Sequence, residues 1–83
     1  GPYDLSASLG KMGKVDDPVV LEAIDKVTQS CLTAGMPLGY FGVTSEAVLP
    51  YIERGYTLIA AGVDTLFLGT AARMMLSELR LNR

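Results

Sequence analysis

Histidine is absent from the 83-residue sequence. That removes the side chain best suited to proton transfer near neutral pH, and every Ser-His or Cys-His nucleophile pair with it. Any chemistry must rest on carboxylates, Lys, Tyr, backbone groups or a metal. Cysteine is almost as scarce. Cys31 stands alone, so no internal disulfide framework can form, which fits a reducing compartment. Basic runs are missing as well: 7 Lys and Arg against 9 Asp and Glu give a formal net charge of −2. The electrostatic footprint of a nucleic-acid binder is therefore lacking. Apolar stretches are cut by Gly, Arg, Asp or Glu well short of the ~20 residues a membrane helix needs. The opening GPYDLS has no basic n-region, and Asp4 falls where a signal peptide carries positive charge. The expected compartment is the cytoplasm.

Apolar residues, by contrast, are plentiful. They make up 49% of the chain, and mean hydropathy is +0.33. A chain of this size buries only about 60% of its unfolded surface. The hydrophobic excess predicts faces that a larger parent domain or an oligomer partner covers.

Residues 1 to 15 read as a loop rich in Gly and Ser, with one short helical turn at Leu5 to Leu9. The clearest start signal comes next. Asp17 can cap a helix whose first residue is Pro18, where the missing N–H is not needed. Val20, Ala23, Ile24, Val27 and Cys31 then recur at the spacing of one helix face, and Glu22 with Lys26 forms an i,i+4 pair. Gly35 is a C-terminal stop and Pro37 blocks continuation. Leu38 to Val43 is a short apolar run, too brief for a helix. Thr44 and Ser45 offer caps for a helix from Glu46 to Arg54, with Pro50 expected near the end of its first turn and Gly55 as its stop. Thr57 to Val63 reads as a second buried strand. From about Thr70 the chain turns helical again, with Leu68, Ala71, Ala72, Met75 and Leu79 on one stripe.

Strands that are apolar throughout and joined by a helix signal a parallel α/β sheet. The Leu38 to Val63 unit is expected to be a right-handed βαβ crossover. Two strands do not complete such a sheet, and a barrel needs eight. The last helix also carries Met74, Leu76 and Leu81, so its apolar surface exceeds one core face. Two readings fit: a helix wedged between barrel and neighbour within one chain, or an intersubunit contact, which flexible Met side chains suit.

GPYDLSASLG at residues 1 to 10 closely resembles the loop after the sixth strand in the HpcH/HpaI family of class II pyruvate aldolases. That family includes the 4-hydroxy-2-oxoheptanedioate and 2-keto-3-deoxy-L-rhamnonate aldolases. The resemblance continues through DDPVVLEAI, AGMPLGYFG and GVDTLFL, and so spans essentially the whole sequence. It implies that residues 1–83 are the C-terminal portion of one (β/α)8 TIM barrel: the loop after strand 6, a helix, strand 7, a helix, strand 8 and a helix.

The function implied is reversible cleavage of a 4-hydroxy-2-oxo acid to pyruvate and an aldehyde, assisted by a divalent cation (Mg²⁺, Mn²⁺ or Co²⁺). In the family pattern Asp4 is one of two protein carboxylates on the metal, and the backbone N–H of Tyr3 meets the substrate carboxylate. The second carboxylate, an Arg and a His lie upstream in the family, so no catalytic residue is assigned here and the 83 residues alone are expected to be inactive. The widened apolar surface of the last helix also gives the expectation of a homo-oligomer, with the C-terminal helix as the contact. Tyr3 departs from members that carry a small residue there. A larger side chain is tolerable if only its N–H is used, and otherwise it lines the aldehyde pocket.

Rival readings stand beside these. Asp4 could cap the Leu5 to Leu9 turn. Ser6 and Ser8 could bond a phosphate or the substrate, although local bonds to backbone are the expected use. Asp64, after the last strand, is expected as a cap or salt-bridge partner. GKMGK at residues 10 to 14 lacks the spacing of a phosphate-cradling loop, and Cys31 is expected to pack. Two whole-chain alternatives remain: a stand-alone structural or oligomerisation module, and a phosphate-binding half barrel using the glycines near Gly42 and Gly62.

Overall fold

The computed structural model describes residues 1–82 as four helices and two strands in the order α1 (Pro2–Ser8), α2 (Pro18–Ala34), β1 (Gly39–Gly42), α3 (Ser45–Glu53), β2 (Leu58–Ala61) and α4 (Asp64–Leu81). Helix α2 obeys its punctuation. The Asp17 carboxylate accepts from Val19 N–H at 3.0 Å, Pro18 opens the first turn, and Gly35 closes the helix in the left-handed region at φ 69°. Thr44 caps α3 in the same manner, accepting from Ala47 N–H at 3.1 Å.

β1 and β2 pair in parallel, with Gly39 opposite Leu58, Tyr40 opposite Ile59, Phe41 opposite Ala60 and Gly42 opposite Ala61. Because side chains alternate along a strand, this register separates two faces. Tyr40 and Ile59 face the core of Val20, Ile24, Leu38, Tyr51 and Tyr56. Gly42, on the same side, lies so close to α3 that an added Cβ would stand 2.7 Å from Val48 Cγ1. The opposite face carries Phe41, Leu58 and Ala60, and Leu58 is 73% exposed. A parallel sheet is normally covered on both faces. Here one face is covered and the other is open, as expected of part of a larger barrel.

Three expectations need correction. The first helix begins at Pro2 rather than Leu5 and ends at Ser8. Proline at the first position costs no hydrogen bond, so Pro2 starts the helix three residues earlier than the turn signals suggested. Pro50 lies at the sixth position of α3, inside the helix and beyond its first turn. The lost amide bond does not end α3, because Val48 and Tyr51 on its inner face are buried against the sheet side. Helix α4 begins at Asp64 rather than Thr70. Its N-cap, Val63, supplies no side-chain bond, and Gly69 reads as a breaker although it costs only about 1 kcal/mol relative to Ala inside a helix. Asp64 sits in the first turn, where negative charge is favourable.

Helix α4 buries none of its residues. Leu68, Met75 and Leu79 of the predicted stripe are 73%, 59% and 59% exposed, and the molecule stretches to 58 × 28 × 17 Å. None of the described helices is long and apolar enough to cross a membrane.

Candidate functional site

Tyr3 and Asp4 lie in the first turn of α1, and both are exposed. Amides in a first helical turn have no carbonyl four residues back, so α1 itself leaves the Tyr3 N–H without an acceptor. Asp4 lies inside the helix, with Gly1 as the N-cap and no side-chain cap bond. The capping role is therefore excluded: a carboxylate at the third helical position cannot cap a turn that begins before it. The salt bridges among the described residues are Lys11–Asp17 at 3.7 Å and Arg54–Asp25, and neither engages Asp4.

A carboxylate oxygen is the donor type a hard divalent cation takes. The described residues contain no group of three or more His, Cys, Asp or Glu able to hold an ion. Asp4 could offer one such oxygen, and any further protein donors would come from outside the described residues.

Ser6 ties this turn to the loop after α1. It is fully buried, its hydroxyl donates to Tyr3 O at 2.7 Å, and it accepts from Gly13 N–H at 3.2 Å. Local bonding is the use expected for this serine. Its reach across seven residues to Gly13 was not foreseeable from spacing. The GKMGK segment is a sequence of turns, with Gly10 and Gly13 at φ 72° and 76° and Lys14 N–H bonded to Lys11 O at 2.8 Å. Here the glycines serve backbone conformation.

The other flagged residues have structural uses. The Asp64 carboxylate accepts from Thr65 N–H at 2.8 Å, and it is neither the N-cap of α4 nor part of a salt bridge. Cys31 packs against the core as expected. A Cβ on Gly42 would meet Val48, and one on Gly62 would stand 2.1 Å from the Phe67 ring, so close packing accounts for both glycines. Sequence reading missed a buried polar pair, Thr28 Oγ1 and Tyr56 OH, 2.6 Å apart. The only prior signal was a hydroxyl residue, Thr28, placed near the apolar stripe of α2.

A two-stranded parallel sheet covered on one face and open on the other is the arrangement of a segment of a larger α/β barrel. Known proteins agree. The chain is 43% identical over 72 residues to the hydroxypyruvate/pyruvate aldolase of Paraburkholderia phytofirmans, covering 87% of this chain and 27% of that protein. It is 35% identical over 75 residues to the 4-hydroxy-2-oxo-heptane-1,7-dioate aldolase of Klebsiella pneumoniae, covering 90% and 28%. The crystal structure of an HpcH/HpaI aldolase/citrate lyase family protein from Burkholderia cenocepacia superposes with a TM-score of 0.90 at 39% identity, covering 96% of this chain and 31% of that one. No protein-family model matches. Over nearly all of its length, then, the chain is homologous to one segment of the HpcH/HpaI aldolases, which are TIM barrels. It spans less than a third of the relatives it matches.

Proposed function

We propose that this segment is the C-terminal portion of a class II aldolase barrel that reversibly cleaves a 4-hydroxy-2-oxo acid to pyruvate and an aldehyde. The observation that carries the reading is Asp4. It is an exposed carboxylate with no competing partner among the described residues, set in a stretch homologous to proteins named as aldolases. In this reading Asp4 is one of the ligands of a divalent cation, Mg²⁺, Mn²⁺ or Co²⁺, and the Tyr3 N–H orients the carboxylate of the oxo acid. Such an ion, when bound, supplies Lewis acidity that draws electron density from a chelated ketone. Asp4 contributes negative charge and a hard oxygen. Tyr3 contributes a donor that α1 leaves free. With one ligand and no His, the 83 residues lack activity by themselves.

Oligomerisation belongs to the same proposal. Met74, Met75, Leu76 and Leu79 are each 46% to 59% exposed, which supports α4 as the contact with a second copy. The compartment proposed is the cytoplasm.

The test is retro-aldol activity of the intact protein that carries this segment, read as pyruvate release from 4-hydroxy-2-oxo acids. Chelator treatment should abolish release, Mg²⁺, Mn²⁺ or Co²⁺ should restore it, and Asp4→Asn should prevent restoration. Full activity in excess chelator would overturn the metal-dependent reading.

A further inference from the structure

We infer that Ser6 is a positioning residue that sets the direction of the Asp4 carboxylate by clamping helix α1 to the Gly10–Lys14 turns. The inference rests on the reading of Asp4 as a metal ligand and adds a residue to it.

Helix α1 is short. Seven residues make two turns, and isolated helices shorter than about 12 residues are marginal in water. The direction of Asp4 therefore depends on what ties α1 down. Two apolar ties exist: Pro2 is buried and Leu5 packs against the core. Apolar contact is non-directional, so these hold the helix against the core without fixing its roll. Hydrogen bonds are directional, and those at Ser6 run to both sides.

The Ser6 hydroxyl has one proton, and it goes to Tyr3 O at 2.7 Å. Tyr3 C=O and Asp4 N–H belong to one planar peptide group, so this bond fixes the plane from which the Asp4 side chain departs. A lone pair of the same oxygen receives Gly13 N–H at 3.2 Å, and the Ser6 carbonyl receives Lys11 N–H at 2.8 Å. Gly13 can present its amide this way because it adopts φ 76°, a conformation that glycine reaches without strain. The oxygen is fully buried, so water cannot replace a lost partner. An ordinary helical serine bonding back to its own turn would satisfy the first contact and leave the second unexplained. The Gly13 bond makes Ser6 a strut between the Asp4 turn and a separate loop.

The test uses the intact protein that carries this segment. Direct Mn²⁺ binding is measured by titration calorimetry for the unsubstituted protein, Ser6→Ala, Ser6→Thr and Asp4→Asn, with circular dichroism and amide exchange at Gly13. Alanine is the best helix former, so Ser6→Ala retains α1. Outer-shell partners typically contribute 10–100-fold to metal affinity, and we expect Ser6→Ala to weaken Mn²⁺ binding by about tenfold or more. Gly13 exchange should accelerate while the circular dichroism stays unchanged, and Ser6→Thr, which keeps a hydroxyl, should recover most of the affinity. Should Ser6→Ala not fold, Ser6→Cys, of similar size but a weak donor, takes its place with a smaller loss expected. Unchanged Mn²⁺ affinity in the Ser6 variant, with affinity lost in Asp4→Asn, overturns the positioning role and leaves Asp4 as ligand. Unchanged affinity in Asp4→Asn overturns the metal reading, and the positioning role falls with it.

Discussion

The hydroxyls of Thr28 and Tyr56 meet at 2.6 Å in the core, tying the middle of α2 to the entry of β2. Thr28 Oγ1 also donates to Ile24 O at 2.8 Å, which assigns its proton and makes Tyr56 the donor between the two hydroxyls. The consequence is asymmetric. Tyr56→Phe leaves Thr28 with its carbonyl acceptor and should cost about 1 kcal/mol. Thr28→Val strands a buried phenol and should cost more, about 1–3 kcal/mol. Urea denaturation of the intact protein compares the two. Equal costs, or a larger cost for Tyr56→Phe, contradict the assignment.

Gly62 lies at φ 94°, with the Phe67 ring where a Cβ would go. Gly62→Ala therefore carries two penalties, backbone strain and overpacking, the second alone about 1–3 kcal/mol. Combining it with Phe67→Ala should recover the packing part and leave the strain. Strict additivity in thermal melts would show that Phe67 does not crowd this glycine.

Burial pushes the Tyr40 phenol well above its ordinary value of 10.0, with the neighbouring Tyr51 adding to the effect. A folded-state pKa above the unfolded one means that the neutral form is favoured by folding. Stability from this group is thus complete below about pH 10 and declines as pH rises through and beyond that point. Tyr40→Phe should flatten part of the alkaline decline without changing the curve near neutrality. A variant with the same alkaline slope as the unsubstituted protein would count against a partly buried phenol held neutral.

The exposed apolar surface of α4 and of the sheet face around Leu58 should drive association of the isolated 83-residue chain, because soluble monomers rarely leave contiguous apolar patches of this kind uncovered. Sedimentation at increasing concentration should show species larger than 8.8 kDa. Met75→Glu together with Leu79→Glu should reduce them. A concentration-independent monomer contradicts the expectation that these faces are made to be covered.

Much of this fold was legible wherever local chemistry decides. Asp17, Pro18 and Gly35 fixed α2 to the residue, because capping and the left-handed stop depend on near neighbours alone. The strands were placed within two residues at each end, since short apolar runs between turn signals have few alternatives. The start of α4 was obscured by Gly69 and by the absence of a side-chain cap at Val63. At Pro50 the burial of Val48 and Tyr51 outweighs a local rule. At the candidate site, Tyr3 and Asp4 came from resemblance, and no periodicity marks them. The Ser6–Gly13 bond was invisible because it depends on how two turns fold back, which residue spacing does not encode.

In the proposed function, Asp4 ligates a divalent cation. Crystals of the intact protein grown with Mg²⁺ and pyruvate test it directly. The expected result is a cation about 2.0–2.1 Å from an Asp4 carboxylate oxygen, with the other protein ligands supplied from outside residues 1–82. A cation bound beside the 2-oxo acid with Asp4 outside its coordination shell would contradict it.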